Sequence, residues 1–306
     1  MQRTLMTCLI AGALSSPAIA HSTQSGSAPS STGHLYVRRG PYIYAINPDG
    51  GGARQVTRTG TAAYPDIDPA VSPDGRQLAY ARRAKGDDSA VYLVPATGGA
   101  PRPLQSDAGR VEHPAWSPDG RRVAYNRSFL HTTIDGSLAS GDIIAINTAA
   151  TGKNQDQFDE SAGDYARVEP AWSPNGRTIV ASQLDLGQGG SISLVAIDSG
   201  NQDDHQLTHD KAHDYLNPAY SPDGRRIACV RSSHKQKGDS GVLWLMNADG
   251  TGGHALAPMA DAARPACSPD GKTIAFGNGG AVYTVAAPGG QPALLMRGAS
   301  NPAWGR

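Results

Sequence analysis

The sequence predicts an all-β protein, a six-bladed β-propeller of four-stranded blades, closed by a split blade that joins the C-terminal strand to N-terminal strands. Three observations carry this. A phrase of the form X-Pro-Ala, an apolar or aromatic residue, then Ser-Pro-Asp/Asn-Gly occurs at residues 68–75, 113–120, 169–176, 217–224 and 264–271. Its Pro-Ala prolines stand 45, 56, 48 and 47 residues apart, a period that marks solenoids, propellers and arrays. A sixth copy opens at Asn301-Pro302-Ala303-Trp304, and the strands it lacks are found at the other end of the chain.

Each unit reads the same way. Ser-Pro-Asp-Gly is a turn, because proline presets φ at the second position and glycine accepts positive φ at the fourth. An alternating second strand follows, such as Arg122-Val123-Ala124-Tyr125 or Arg226-Ile227-Ala228-Cys229. The third strand is more apolar, as at Ile143-Ile144-Ala145-Ile146 or Val242-Leu243-Trp244-Leu245-Met246. A Gly-rich turn such as Asn247-Ala248-Asp249-Gly250 leads to a short fourth strand, as at His205-Gln206-Leu207-Thr208. For the split blade, His34-Leu35-Tyr36-Val37 supplies the second strand, Tyr42-Ile43-Tyr44-Ala45-Ile46 the third and Arg54-Gln55-Val56-Thr57 the fourth. A blade cannot bury both its faces alone, so blades stack radially, and closing the ring removes sheet edges that invite aggregation. Trp116, Trp172, Tyr220 and Trp304, at the same place in four phrases, are read as packing between blades. No long helical period free of Gly and Pro is present.

Composition bounds the rest. Gly 37 and Pro 22 in 306 residues fit a turn-rich fold, and there is no Gly-X-Y period. Lys+Arg 27 against Asp+Glu 27 excludes a simple polyanion binder, so no nucleic acid is expected. The first residues read as an address: Arg3, an apolar stretch at residues 5–14 too short to span a bilayer, and an Ala18-Ile19-Ala20 cleavage site. The expected organisation is a signal peptide at 1–20, a Ser/Gly-rich flexible leader at 21–33 and the propeller at 34–306, exported, monomeric and without a membrane span. Leu5-Met6-Thr7-Cys8 has the outline of a lipoprotein acylation box, with almost no apolar stretch ahead of Cys8. Cys229 and Cys267 are either a bridge, which export permits, or two separate small buried hydrophobes.

The phrase Pro-Ala-Trp-Ser-Pro-Asp-Gly-Arg-Arg-Val-Ala-Tyr at residues 114–125 resembles the WD40-like, PD40-type repeat of the TolB propeller family, and the resemblance covers residues 34–306. It implies a periplasmic six-bladed propeller of the Tol–Pal envelope system that binds peptidoglycan-associated lipoprotein. TolB carries an α/β domain ahead of its propeller, where this sequence has only the Ser-rich leader. The same repeats occur in propellers attached to prolyl-oligopeptidase-type hydrolases.

Motifs for chemistry are sparse. There is no nucleophile elbow, phosphate loop, dinucleotide fingerprint or His-Glu-x-x-His, and Gly238-Asp239-Ser240-Gly241 reads as a polar loop. The informative set is the residue ahead of each Pro-Ala: Asp68, His113, Glu169, Asn217, Arg264 and Asn301. The innermost strand of a blade starts near the central channel, so these six should ring one mouth. Their type varies while the rest of the phrase stays fixed, which sets them apart from side chains that only prop up a blade. Three readings stay open: a solvated, self-neutralising rim in which Arg264 offsets Asp68 and Glu169; a mouth that binds a protein or peptide or small ligand, with Glu169 and Arg264 off the blade core; and a cation site, since Asp, His, Glu and Asn can all ligate. His205, His209 and His213, spaced by four, run from a fourth strand into a loop and read as an exposed His-rich stretch. Blade two carries insertions at 129–142 and 153–165, in which Phe129, Leu130, Phe158 and Tyr165 either face a partner or fold onto the blade.

The expected function is a binding module for an envelope protein or peptide, by resemblance a peptidoglycan-associated lipoprotein, in the periplasm or secreted. No catalytic residue, cofactor or metal is expected. The alternative is a channel-site, metal-dependent enzyme, a lactonase-like hydrolase or a carbohydrate lyase, with a cation in the central channel.

Overall fold

A computed structural model describes residues 33–86, 88–104, 109–132, 138–158, 165–185, 190–234, 241–257 and 262–305. The expected signal peptide, nearly all of the leader, and Gly238-Asp239-Ser240 lie outside the described residues. What is described is all-β: twenty-four strands in six four-stranded sheets, each antiparallel and meandering from the axis outward. No helix among the described residues is long and apolar enough to cross a membrane.

Blade one is β4 (Asp66–Val71), β5 (Gln77–Arg83), β6 (Ser89–Pro95) and β7 (Arg102–Pro103). Blade two is β8 (Arg110–Trp116), β9 (Arg122–Thr132), β10 (Leu138–Thr148) and β11 (Asn154–Phe158). Blade three is β12 (Tyr165–Trp172), β13 (Thr178–Asp185), β14 (Ile192–Asp198) and β15 (Asp204–Gln206). Blade four is β16 (His213–Tyr220), β17 (Arg226–Ser233), β18 (Val242–Asn247) and β19 (His254–Ala255). Blade five is β20 (Ala263–Cys267), β21 (Thr273–Asn278), β22 (Ala281–Ala286) and β23 (Ala293–Arg297). Blade six is the split one: β24 (Ser300–Trp304) pairs with β1 (Leu35–Arg39), followed by β2 (Tyr42–Ile46) and β3 (Arg54–Gln55). The closure expected from the cut repeat is therefore present.

The turns form as the phrase dictates. In blade one the Ser72 hydroxyl donates to Asp74 Oδ1 at 2.6 Å, the Arg76 and Gln77 amides donate to Asp74 and Ser72, and Gly75 takes φ 72°. The same bonds recur at Ser117/Asp119, Ser173/Asn175, Ser221/Asp223 and Ser268/Asp270. Between blades, apolar side chains form six buried clusters, each drawing on two neighbouring blades. Trp116 packs among blade-one residues Ala79 and Leu93, and its indole N–H donates to the Ala70 carbonyl at 3.1 Å. The aromatic residues of the phrase are inter-blade packing, as their spacing implied.

One expectation changes. The insertion at 129–142 reads in the sequence as a loop; in the structure β9 and β10 each run 11 residues and pair out to Thr132 and Leu138, so it lengthens a hairpin instead. The second insertion contributes β11, and Tyr165 starts β12 with its side chain exposed. Cys229 and Cys267 are both free, in different clusters, Cys229 buried and Cys267 half-buried.

Candidate functional site: the mouth of the channel

All six residues singled out ahead of Pro-Ala come together. Asp68, His113, Glu169, Asn217, Arg264 and Asn301, each with its following proline, line one pocket of about 140 Å³ on the propeller axis. Their backbones share an unusual device. Each has positive φ, from 48° at Arg264 to 59° at Glu169. At each, the pairing of the innermost strand with the second slips by a residue, a bulge between Ile67 and Ala70, Glu112 and Ala115, Val168 and Ala171, Leu216 and Ala219, Ala263 and Ala266, and across the β1–β24 pair. A bulge leaves one residue unpaired and re-aims its side chain. A left-handed conformation costs a non-glycine residue about 1–3 kcal/mol. Glycine would adopt it freely, yet none of the six is glycine, so at this position the side chain itself is used.

Those side chains hold the neighbouring blade. Glu169 accepts from the Asn217 amide nitrogen at 2.7 Å, from the Asn217 side-chain amide, and from the Ser182 hydroxyl at 2.8 Å. Asn217 Oδ1 in turn accepts from the Arg264 main-chain N–H at 3.3 Å. Arg264 Nη1 lies 2.9 Å from Asp68 Oδ1, which also accepts from the Asn301 amide at 2.6 Å. The ring is thus a clasp across blades as well as a lining. Glu169 and Arg264 belong to no apolar cluster, yet they bond across blades: a bulged N–H has lost its ladder partner, and a carboxylate or amide from the preceding blade supplies the acceptor.

Asp68 is the buried centre of one half of the ring. Burial pushes its carboxyl upward, but the Arg264 guanidinium, the imidazole and main-chain N–H of His113 and the Asn301 amide together hold it below the usual carboxylate range. His113 Nε2 is 3.5 Å from Asp68 Oδ2 and accepts from Arg264 Nη2, while Nδ1 faces Asn126 Oδ1 at 2.5 Å.

Asp68, His113 and Glu112 are also the one group among the described residues with the spacing to hold a metal ion. All but one of their donor atoms are already committed, the exception being Asp68 Oδ2, which is buried without a hydrogen-bond partner. Arg264 bonds to both Asp68 and His113, and Glu112 is ion-paired with Arg110 at 2.8 Å and Arg83 at 3.4 Å. A divalent cation here would sit against a guanidinium, so the set does not fit a metal centre as it stands. The His205–His209–His213 stretch runs as expected from β15 through a loop into β16; His213 bonds Asp210 at 2.6 Å.

Three supporting residues escaped the sequence reading. Glu112 precedes His113 directly. Asn126 and Ser182 occupy equivalent positions in β9 and β13, where blades one, four and five have Ala81, Val230 and Gly277. A polar residue breaking an apolar strand at that position was the available signal.

Known proteins fix the architecture. No protein-family model matches the chain. An uncharacterized protein of Agrobacterium fabrum is 28% identical over 188 residues, 61% of this chain, and the chain spans 58% of that relative's length. TolB from Acinetobacter baumannii superposes with TM-score 0.68 at 21% identity, over 90% of this chain and 67% of that one. A putative TolB from Agrobacterium tumefaciens gives 0.60 at 21% identity, over 73% and 76%. An oligogalacturonate lyase in complex with manganese gives 0.56 at 15% identity, over 85% and 72%. The chain has the TolB-like six-bladed propeller fold.

Proposed function

We propose that the protein is an exported propeller of the cell envelope that binds a protein or peptide segment at the channel mouth, and that it does so without a metal. The observation behind this reading is the ring itself: six side chains of five types, all held on the same costly backbone around one pocket. Glu169 and Asn217 offer acceptors to an amide-bearing or basic segment, and the partly exposed Arg264, while bonded to Asp68 and His113, keeps further guanidinium N–H groups for a carboxylate. The TolB-like fold makes a peptidoglycan-associated lipoprotein the first partner to try, and the sequence's signal-like start makes the periplasm the compartment. The lyase neighbour with manganese and the Asp68–Glu112–His113 group favour a second reading, a metal-dependent channel enzyme, which needs Arg264 to leave the donors it now bonds.

Calorimetric titration of the mature protein with that lipoprotein, with and without chelator, tests both. The binding reading expects an affinity indifferent to chelator and weakened at least tenfold in Arg264→Gln, since truncating a desolvated interfacial charge costs about 2–5 kcal/mol. Unchanged binding in that variant makes the ring a clasp only. Loss of binding with chelator moves the metal reading ahead.

A further inference from the structure

Five of the six seams between blades are filled by an aromatic ring at one recurring place. Each seam pairs a small or apolar residue of one blade's second strand with the fourth residue of the next blade's phrase. The pairs are Ala79 with Trp116, Ala124 with Trp172, Val180 with Tyr220 and Ala275 with Trp304. At the closure the roles reverse, Tyr36 of β1 supplying the ring against Val71. The seam between blades four and five has neither: Ala228 faces Cys267. A pocket of about 180 Å³ lies there, beside the Ser-Pro-Asp-Gly turns, sharing no residue with the channel mouth.

Part of the lining matches what surrounds a ring elsewhere, with Ser221, Asp223 and Asp270 adding polar groups from the two turns. Arg226 stands at its edge at the place in the repeat held by Arg122 in blade two, and Arg122 lies over the Trp172 ring at 4.7 Å. Arg226 is exposed, whereas Arg122 is half-buried beneath its tryptophan. Leu245, Ile274 and Cys267 form the apolar wall, with Pro222 and Pro269 at the rim. Ala219 holds the place in the repeat of Ala70, whose carbonyl receives the Trp116 indole N–H between blades one and two, a bond the Trp172 and Trp304 indoles do not make. Burial pushes the Cys267 thiol up to about 12, so it remains a neutral apolar group rather than a nucleophile.

We propose that this seam is a binding site for a single indole-class aromatic ring, bound between blades four and five with its face against the Arg226 guanidinium and its N–H toward the Ala219 carbonyl. The size is sufficient: an apolar cavity of about 150 Å³ takes benzene in a protein core, and a cation over an aromatic face adds attraction. The seam is a second binding region, independent of the mouth, and the ring comes either as a free small molecule or as the tryptophan of a partner peptide.

The probe is 5-fluoroindole, followed by fluorine NMR, with the Leu245 and Ile274 methyl resonances of the labelled protein as the reporter of place. Saturable broadening of the fluorine signal with shifts at those two methyls is the expected result. N-acetyl-tryptophanamide in a parallel titration separates the sources: binding of both probes fits a peptide tryptophan, and binding of indole alone a free ligand. Cys267→Trp should supply the ring from the chain itself, abolish binding at least tenfold and raise Tm by about 2 °C or more. Should that variant fail to fold, Arg226→Ala keeps the question open to test, because it removes the stacking face without filling the seam and should weaken binding severalfold. Absence of methyl shifts at millimolar probe, or undiminished binding in a folded Cys267→Trp, overturns the proposal.

Discussion

Two rings of the molecule follow opposite rules. The turn ring, Ser72-to-Gly75 and its four counterparts, repeats nearly the same residues and the same bonds in five of the six blades. The channel ring repeats only its backbone: six residues share the left-handed conformation, yet their side chains range from Asp68 to Arg264. The difference lies in what each side chain serves. Asp74 bonds Ser72 and Arg76 of its own turn, so any blade can use the same solution. Glu169 bonds Asn217 of the next blade and Ser182 of its own, and Asp68 bonds Arg264 and Asn301 from blades five and six, so each position answers a different neighbour. A repeat is free to diverge where its side chains look outward from the unit.

The largest test of that contrast removes a member of the channel ring together with its strand. Ending the chain at Ala299 takes away β24, with Asn301 and the Trp304 ring that packs on blade five. Trp304 is half-buried, so its loss costs part of the about 3–5 kcal/mol of a fully buried tryptophan, and the strand's ladder bonds go with it, against a total stability of about 5–15 kcal/mol for an ordinary domain. Calorimetry should show the melting transition lowered by about 10 °C or more, or lost. A transition left in place would mean that the blades hold together without closure and that the channel ring clasps nothing.

Next comes a matched pair. Glu169→Ala strips the acceptor from the Asn217 main-chain N–H and from the Ser182 hydroxyl, both part-buried, and should cost about 2–3 kcal/mol in urea unfolding. Asp74→Ala removes two bonds at an exposed turn, where water takes over, and should cost about 1 kcal/mol or less. Equal costs would break the comparison, because a purely solvated rim predicts them.

How much of this was readable beforehand divides along the same line. The turn ring was legible because Pro and Gly act within four residues, and the split blade because a cut phrase at Asn301 has its complement at residues 34–57. The six mouth residues were legible as a set, since variation beside an unvarying Pro-Ala marks a different duty. Their partners were not. The contact of Glu169 with Asn217 spans 48 residues and that of Asn301 with Asp68 spans 233. A bulge at an X-Pro step leaves no trace in hydrophobic alternation. The hairpin of β9 and β10 was misread as a loop because Gly and Ser inside residues 129–142 mimic turn signals, while long-range pairing decides.

Acid sharpens the contrast further. Asp68 is held below the usual carboxylate range in the folded chain, chiefly against burial by Arg264 and His113. A carboxyl with a lowered folded pKa contributes stability that is complete above its unfolded value of about 4 and lost as pH falls through the folded one. Chemical unfolding should therefore show a steep loss of stability below pH 4. In Asp68→Asn that slope should flatten while stability at pH 7 falls, since the Arg264 charge is left without its carboxylate. The turn aspartates Asp74, Asp119, Asp223 and Asp270 are lowered too, by Ser hydroxyls and main-chain N–H groups near the surface. Asp74→Asn should leave the slope almost unchanged, as solvent screens an exposed carboxylate. A larger effect from Asp74 than from Asp68 would reverse the ranking of the two rings.

The smallest expected effect tests whether the turn ring is as interchangeable as it looks. Blade three alone writes its turn with Asn175 in place of aspartate. The geometry is the same: Asn175 Oδ1 accepts from Ser173 Oγ at 2.8 Å and from the Arg177 N–H at 3.0 Å, where Asp119 accepts from Ser117 at 2.5 Å and from Arg121 at 3.0 Å. An ionised acceptor makes the stronger bond of the two, and Arg177 follows in sequence to offset the new charge. The position is exposed, which caps the gain, since surface substitutions rarely exceed about 0.5 kcal/mol. Asn175→Asp should thus stabilise by a few tenths of a kcal/mol, about 0.5 at most, at pH 7 and lose that gain below pH 4, where the new carboxyl is protonated. Paired urea titrations at the two pH values resolve the sign. Destabilisation at pH 7 would show that blade three, like the mouth, answers to a neighbour even in its turn.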